Sequence, residues 1–425
     1  AEQEKQESGH VDLRLDCPPH YQPAGQKMRS IGDEMSDPLL AYRNRFPILE
    51  SSTYLINNSL GAMPAEVADR MTAYSDIWAT RGVRAWAEEW WSMPVEVGDL
   101  VAPLLGAPAG SVSMHTNVTL ATAVFFSCFD AHAHPERTKV VTTELQFPSI
   151  QYFVDLWCNE RGLRLESVPC PDGIGCDRQQ LLDAIDERTL AVSVSHVEFK
   201  SAFINDAEAI AARCREVGAL LLLDTFQSTG VVPIEARQWG VDACVGGCLK
   251  WLCGGPGNVY LYIDPDLAPK LRPRLTGWMA HPAPFAFEPP PIRQREDAYR
   301  FLNGTPQIAC LYAAPPGLRM HNEIGIGAIR EKSMRMTARL YDGAVERGWR
   351  PNAPADPARR GGTVAIDLPH GELVAAELLE RDFVIDYRPG AGIRVAPHFY
   401  NTDEECQGVL DEISSILETL SLIHI

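Results

Sequence analysis

Between Ser111 and Asp224 the sequence alternates short apolar segments with longer amphipathic ones. The apolar segments include KVVTT, TLAVSVS and LLLLD, and stretches such as PSIQYFVDLWCNE and DAEAIAARCREV lie between them. Strands that alternate with helices of this length predict a parallel sheet with right-handed crossover connections. A strand of four leucines is typical of a sheet that is buried on both faces. The chain is therefore predicted to contain a large α/β domain.

Two charged residues stand next to such apolar segments. Asp224 ends the leucine-rich strand, and Lys250 follows the run ACVGGCL and precedes a Gly-Gly-Pro-Gly loop at 254–257. Considered singly, Asp224 is typical of a turn cap and Lys250 of a solvated surface lysine. Their context favours a ligand site, because open α/β sheets bind ligands at the carboxyl ends of their strands. Pyridoxal phosphate chemistry requires both charges, a lysine for the Schiff base and a carboxylate that keeps the ring nitrogen protonated.

At these residues the sequence resembles a known family. The Asp-x-x-Gln of 224–227, the Trp-Gly-Val-Asp of 239–242 and the Lys-Trp-Leu-Cys-Gly-Gly-Pro-Gly of 250–257 are similar to motifs of fold type I pyridoxal phosphate enzymes of the class V aminotransferase superfamily. Within it the chain is most similar to kynureninase. The resemblance implies an α/β fold with a large pyridoxal phosphate-binding domain, whose mainly parallel sheet is flanked by helices, and a smaller α+β C-terminal domain.

The predicted domain boundaries follow from this resemblance and from the sequence pattern. Residues 1–37 are polar and lack periodicity, which predicts an N-terminal arm. The large domain is predicted at 38–316, where 38–60 can pack with the small domain, and the small domain at 317–420. The closing residues 421–425, SLIHI, are unusually apolar for a terminus and are interpreted as a cloning scar.

The resemblance also implies which residues hold the cofactor. The segment where SVSMHT turns into a helix would cradle the phosphate, because free N–H groups at the start of a helix bind phosphate. Without the resemblance, the same segment is equally typical of an ordinary helix cap. An aromatic residue of a Phe-Pro-Ser motif would stack on the ring, and a glutamine would lie near its phenolic oxygen. A Gly-Trp and a Gly-Thr-Pro segment would lie near the phosphate. Beside Asp224 and Lys250, the predicted cofactor-binding residues are Asn117, Val118, Thr119, Phe147, Gln227, Trp278 and Thr305.

An amino-acid substrate would bind beside the cofactor. The resemblance implies that Asn58 and Ser59, in the turn Asn-Ser-Leu-Gly, contact the substrate carboxylate; alone, the segment is typical of a turn whose glycine relaxes the backbone. Arg394 would grip the α-carboxylate, a task that suits a bidentate guanidinium. Thr305 would reach a second subunit, which implies a homodimer with shared active sites. The tryptophans at 78–91 are interpreted mainly as core residues, some of which line the substrate pocket.

Two residues depart from the kynureninase pattern. Leu249 precedes the lysine where kynureninases have tyrosine, and Ile150 follows the Phe-Pro-Ser motif where they have aspartate. Neither side chain can transfer a proton. The loop DYRPGAGI before Arg394 also lacks the cysteine that cysteine desulfurases need. With Lys250 and Asp224 as catalytic residues, the predicted function is a lyase or hydrolase that cleaves the side chain of an L-α-amino acid, at Cβ–S or Cβ–Cγ, through an external aldimine and a quinonoid.

Other functions stay open at this stage. An aminotransferase would use the same lysine and carboxylate, and so would an enzyme of specialised metabolism that couples decarboxylation to oxidative deamination. A regulatory module that only binds pyridoxal phosphate would need a DNA-binding extension. Residues 1–37 are too short and of the wrong charge for that extension.

Composition bears on partners and compartment. The net charge of −18 and the pI near 5.1 disfavour nucleic acid and anionic membranes as partners. No apolar run approaches the roughly 18 residues of a membrane span, and the N-terminus is polar, so a cytoplasmic protein is expected. Eleven cysteines without CxxC spacing suggest neither a zinc site nor a disulfide framework. His115, His132 and His134 are not expected to bind a metal.

Overall fold

The computed structural model describes residues 37–131 and 133–422. Its strands, in chain order, are β1 Thr53–Tyr54, β2 Val112–His115, β3 Lys139–Thr143, β4 Arg164–Val168, β5 Thr189–Ser195, β6 Leu220–Asp224, β7 Ala243–Gly247, β8 Val259–Ile263, β9 Arg350–Pro351, β10 Val364–Asp367, β11 Phe383–Val384, β12 Asp386–Arg388 and β13 Gly392–Val395. The α-helices are α1 Glu66–Arg81, α2 Met93–Val101, α3 Val118–Phe126, α4 Pro148–Asn159, α5 Arg178–Ala184, α6 Ala207–Val217, α7 Ala236–Trp239, α8 Ile308–Ala313, α9 Pro315–Ile324, α10 Ile326–Glu346, α11 Gly371–Glu380 and α12 Asp403–Leu422.

Seven strands form the central sheet, in the order β2-β8-β7-β6-β5-β3-β4. Neighbouring strands are parallel except at β8, which is antiparallel to both β2 and β7. Residues 248–258 between β7 and β8 contain no helix, and a parallel return would need a longer crossover. The predicted α/β fold with a mainly parallel sheet flanked by helices is confirmed, and the exception at β8 follows from this short connection.

The central sheet is buried on both faces, as its apolar strands predict. In β6, Leu221 and Leu223 belong to the hydrophobic cluster on one face, whereas Leu222 belongs to the cluster on the other face. All three side chains are fully buried. Successive residues of a strand point to opposite faces, so only a continuous apolar run can serve both clusters.

The C-terminal part contains a smaller antiparallel sheet in the order β12-β13-β10-β9. Apolar residues of α10, α11 and α12 share one buried cluster with residues of β10 and β13. Strand β1 pairs in parallel with β11, so the segment that contains residues 53–54 contacts this part of the chain. The domain boundary at 316/317 stays a prediction.

Some expectations fall outside the described residues, namely those for residues 1–36, for His132 and for residues 423–425. Within the described part, no helix has both the length and the apolar character that a membrane crossing requires.

Candidate active site

A cavity of about 570 Å³ opens at the carboxyl ends of the central strands. Its lining includes Ser195 and Asp224, the last residues of β5 and β6, and Lys250 in the loop after β7. Pockets of this size are typical of small-molecule sites, and this edge of an α/β sheet is where ligands bind.

The cavity brings most of the predicted site residues together. Those in its lining are Asn58, Ser59, Asn117, Val118, Phe147, Asp224, Gln227, Lys250 and Arg394. Thr119 and Trp278 are not in this lining, and Thr305 lines a much smaller neighbouring cavity with His115 and Thr116. The roles that the resemblance implies for these residues stay predictions.

Lys250 presents its amine to the cavity between two aromatic rings. Its Nζ lies 4.8 Å from the ring centroid of Phe226 and 5.5 Å from that of Phe147. Burial lowers the pKa of the lysine to about 8, the nearby carboxylate of Asp224 opposes this shift, and the positive charge of Arg394 adds to it. A larger share of the amine is therefore neutral near pH 7 than in an exposed lysine, and the neutral amine is the form that attacks a carbonyl carbon.

Asp224 is the carboxylate that lines the same cavity and interacts with the charge of this lysine. Burial raises its pKa to about 6, although the N–H of Phe226, which donates to Oδ1 at 2.9 Å, and the charge of Lys250 both stabilise the ionised form. Each charge therefore favours the ionised form of the other, which is the condition for keeping two buried charged groups in one cavity.

The start of α3 supplies backbone donors to the cavity wall. Asn117 is the N-cap of this helix, and its side-chain oxygen accepts the N–H of Leu120 at 2.9 Å. The N–H groups of Val118 and Thr119 have no partner inside the helix, since the first turn leaves its donors unused. An anion at this position would accept both bonds. The hydroxyl of Thr119 itself donates to the carbonyl of Ser149 at 3.3 Å and is not in the cavity lining.

Gln227 connects two segments of the site. Its Nε2 donates to the carbonyl of Asn58 at 2.9 Å, and its Oε1 accepts the indole N–H of Trp251 at 3.1 Å. The side chain thus ties the Asn58 turn to the segment that carries Lys250. The predicted role of Gln227, near a cofactor oxygen, includes neither bond. No sequence pattern marks either partner, because Asn58 is 169 positions away and Trp251 has no recognisable spacing from Gln227.

The side-chain amide of Asn58 is buried and has no hydrogen-bond partner at either Nδ2 or Oδ1 among the described residues. Leaving such a group unsatisfied costs about 1–3 kcal/mol. Asn58 lines the cavity, so a ligand there can satisfy the amide.

Gly61 is required for a reason that differs from the predicted one. Its backbone φ is not in the left-handed region, so the turn does not need glycine for flexibility. Instead, its N–H donates to the carbonyl of Leu249 at 2.8 Å, and a Cβ at this position would lie 2.1 Å from the carbonyl oxygen of Lys250. The missing side chain lets the Asn58 turn approach the backbone of the lysine segment.

We expect Gly61→Ala to lower the turnover rate by about 100-fold, the effect of displacing a reactive group by about 1 Å. The added methyl group must push the backbone of Lys250 away from the turn. Steady-state kinetics with thermal unfolding measures the effect. Gly327→Ala is the matched control, because a Cβ there meets nothing within 4 Å; equal rates in the two variants would contradict the expectation.

The two residues that depart from the kynureninase pattern have different surroundings. Ile150 is buried in the hydrophobic cluster that also contains Val154 and Trp157, where an apolar side chain fills the core. Leu249 lines the cavity next to Lys250. An apolar wall therefore stands beside the amine.

The tryptophan cluster is only partly in the core. Trp90 is buried, whereas Trp78 is 61% exposed, so the core interpretation is wrong for Trp78. Trp91 packs against Trp278 and Phe285, with centroid separations of 5.0 and 4.9 Å. None of the tryptophans at 78–91 is in the lining of the Lys250 cavity.

Arg394 lies in β13 and is paired with a residue that sequence analysis did not single out. Asp386 in β12 accepts from its Nε at 2.8 Å and from its Nη2 at 2.5 Å. The two residues are partners because they stand opposite each other in the pairing of β12 with β13, and this pairing has to be known before the ion pair can be expected.

Comparison with known proteins agrees with this geometry. The family model Aminotransferase class-V matches residues 53–404. An uncharacterized aminotransferase, YcbU of Bacillus subtilis (strain 168), is 30% identical over 378 residues, which are 88% of this chain and 97% of that protein. Kynureninase of Pseudomonas fluorescens is 29% identical over 399 residues, 91% of this chain and 94% of that protein. The apo structure of a cysteine desulfurase from Thermococcus onnurineus NA1 is similar in fold, with a TM-score of 0.80 and 22% identity over 91% of this chain and 100% of that one.

Proposed function

Because this chain belongs to the class V aminotransferase family and is a pyridoxal phosphate-dependent enzyme of that class, we propose that it cleaves the side chain of an L-α-amino acid at Cβ–S or Cβ–Cγ. The observation that carries the proposal is the meeting of Lys250, Asp224 and Arg394 in one cavity. The three side chains supply an amine, a carboxylate and a guanidinium within one small-molecule site.

The residues around the cavity fit pyridoxal 5'-phosphate. The amine of Lys250 has no hydrogen-bond acceptor within the described part of the chain and can react with the aldehyde. The free N–H groups at the start of α3 suit the phosphate. The ring of Phe147 suits a flat pyridine face, and the carboxylate of Asp224 suits its nitrogen.

When bound, the cofactor supplies an aldehyde for Lys250 and a ring that accepts the electron pair left at the substrate Cα. Once the substrate amine has replaced it on the aldehyde, the released amine of Lys250 would take the proton from Cα; burial lowers the pKa of this amine to about 8 in the cofactor-free protein, which suits a base close to neutral pH. The negative charge of Asp224 would stabilise a proton on the ring nitrogen. Arg394 holds the substrate carboxylate, and the amide of Asn58 donates to the same group. Phe147 and Phe226 keep water away from the amine.

Leu249 supports Cβ–S cleavage over the kynureninase reaction. A side chain without a titratable proton stands beside the lysine, where kynureninases have a tyrosine that takes part in proton transfer. A thiolate leaves without being protonated, whereas hydrolysis of a Cβ–Cγ bond needs additional proton transfers. Leu249 therefore favours an S-substituted cysteine as substrate.

The test is an assay of the holoenzyme with an S-alkyl cysteine and, separately, with L-kynurenine. We expect pyruvate and free thiol from the first. Anthranilate from the second would show instead that Leu249 tolerates the kynureninase reaction. If neither assay gives its product and the enzyme turns over only when a keto acid is added, the protein is an aminotransferase and the proposal is overturned.

We further propose that the active protein is a homodimer. The aromatic patch of Trp91, Trp278 and Phe285 includes exposed side chains, and Thr305 lies off the Lys250 cavity, which supports a role of this region toward a second copy. Light scattering is expected to give twice the chain mass of 46.9 kDa. A mass of one chain in a fully active preparation would contradict the proposal.

A further inference from the structure

Asp386 and Arg394 face each other across two neighbouring strands. They are direct partners in the antiparallel register of β12 and β13, so their side chains leave the same face of the sheet. The carboxylate of Asp386 accepts from Nε and Nη2 of Arg394 at 2.8 and 2.5 Å. The Arg394 side chain is only 4% exposed, which makes this a charge pair with little solvent screening. The backbone pairing itself therefore sets the geometry of the pair.

The remaining contacts of Arg394 leave two donors for a ligand. Its Nη1 donates to the carbonyl of Phe199 at 3.1 Å. A guanidinium carries five N–H donors, and the three contacts to Asp386 and Phe199 leave one donor on each terminal nitrogen. Asp386 occupies the edge formed by Nε and Nη2, and the edge formed by Nη1 and Nη2 is the fork that a carboxylate accepts with both of its oxygens. Because Arg394 lines the cavity, this fork is available to a bound molecule.

Arg388 completes the cluster. Its Nη2 lies 3.0 Å from Oδ2 of Asp386, and its exposed side chain also lines the cavity. Asp386 is thus shared by two arginines. The two arginines and Asp386 together carry one excess positive charge, which the carboxylate of a ligand can neutralise. The negative charge of Asp386 is offset by the second arginine, so it does not cancel the attraction of the cluster for that carboxylate.

We propose that Asp386 is the positioning residue for substrate recognition: it holds one edge of the Arg394 guanidinium so that the opposite fork receives the α-carboxylate of the amino acid. The proposal rests on the proposed function in that the substrate is an α-amino acid. An arginine side chain has many rotamers, and fixing one edge removes the cost of ordering it at each binding event. Asp386 acts through Arg394 and touches no reacting atom.

Glycine and methylamine separate binding from turnover. Glycine has no side chain to lose at Cβ, and methylamine is the same molecule without its carboxylate. Each ligand is titrated into the holoenzyme while the visible absorption of the cofactor is followed. We expect Asp386→Asn to weaken glycine binding by about 10-fold or more, the equivalent of about 1.4 kcal/mol, and to leave methylamine binding unchanged. Asp386→Glu, which keeps the charge, is expected to recover part of the loss.

Two further variants identify Arg394 as the intermediary. In a double-mutant cycle with Arg394→Lys, the effect of Asp386→Asn on glycine should vanish, because the group that it positions is gone. Asp411→Asn removes the partner of Arg347 in an exposed ion pair and is the matched control for losing a carboxylate. It should change neither ligand's affinity.

The other outcomes are equally decisive. Tighter glycine binding by Asp386→Asn would mean that Asp386 competes with the substrate for Arg394, and unchanged binding would mean that it has no role in recognition. Equal losses for glycine and methylamine would indicate damage to the whole site. Each of these results overturns the proposal. If Asp386→Asn does not fold, Asp386→Glu takes its place, both alone and in the cycle with Arg394→Lys. If the wild-type holoenzyme shows no spectral response to any α-amino acid, the proposed function fails instead.

Discussion

Replacement of Lys250 by alanine is expected to abolish covalent attachment of pyridoxal phosphate and to lower activity by at least about 10²–10⁴-fold, the usual share of a general base alone. The lysine supplies both the amine for the cofactor and the base for the Cα proton, so no neighbouring group can replace it. Among the described residues that line the cavity, Lys250 is the lysine present. Absorption spectroscopy of the purified protein and steady-state kinetics measure the two effects.

The same variant has a predictable effect on the pH dependence of folding. Burial lowers the pKa of Lys250 from 10.5 to about 8 in the cofactor-free protein. Between pH 8 and 10.5 the unfolded chain therefore binds more protons than the folded one, and the free energy of unfolding rises with pH in this window. Lys250→Ala should lack that rise. The exposed Lys270 provides the control, since Lys270→Ala should keep the rise, the activity and the cofactor band.

A yellow, covalently loaded Lys250→Ala protein would contradict the assignment of the lysine. Borohydride reduction followed by peptide mass mapping gives an independent answer, because it marks the lysine that carries the cofactor. We expect the mark on the peptide that contains Lys250.

Replacement of Asp224 by asparagine is expected to lower activity by about 10²–10³-fold while the fold is retained, the usual cost of removing one preorganised electrostatic partner of the reacting group. Asparagine keeps the shape of the side chain and can accept the N–H of Phe226, but it cannot balance a protonated ring nitrogen. Steady-state kinetics on fully loaded protein measures this loss. Asp224→Glu should retain more activity than Asp224→Asn, because it keeps the charge.

The pH dependence of stability distinguishes this variant further. Burial raises the pKa of Asp224 from 3.8 to about 6, so the folded cofactor-free protein binds more protons than the unfolded chain between these values. Stability therefore falls as pH rises from 3.8 to 6, and Asp224→Asn should remove that contribution.

Asp242 is a matched control for Asp224. Burial also raises the pKa of Asp242 to about 6, and its Oδ2 accepts the N–H of Leu221 at 2.8 Å, yet it does not line the cavity. Asp242→Asn should change the pH dependence of folding in the same direction and leave turnover unaffected. Similar losses of activity in both variants would show that Asp224 acts through the stability of the sheet rather than at the site.

Much of the candidate site could be predicted because its signals are local in the chain. The leucines of β6 predict a strand that is buried on both faces, and Asp224, at the carboxyl end of this strand, is therefore predicted at the edge of the sheet where ligands bind. Lys250 stands out because it lies between an apolar segment and a glycine-rich loop, which is an unusual position for a lysine whose side chain is solvated at the surface. Both signals need only neighbouring residues, and the structure places both side chains in one cavity.

Other contacts could not be predicted because they join residues far apart in the sequence. Gln227 bonds to the carbonyl of Asn58, 169 positions away, and Gly61 is needed because the backbone of Lys250 passes next to it. Neither contact corresponds to a periodic pattern or a local composition that could be recognised in the sequence. The antiparallel direction of β8 likewise depends on how a short connection closes the sheet.

By itself the sequence determined the α/β architecture and the two charged residues of the cavity, since apolar periodicity and burial are properties of consecutive residues. Only the tertiary structure decided how those residues are oriented and supported. Asp386 and Arg394 lie eight positions apart across a turn, and it is the register of β12 and β13 that makes them partners. In a hairpin the register follows from the conformation of the turn and from the face that packs against the core, and the residue types of 386–394 alone state neither.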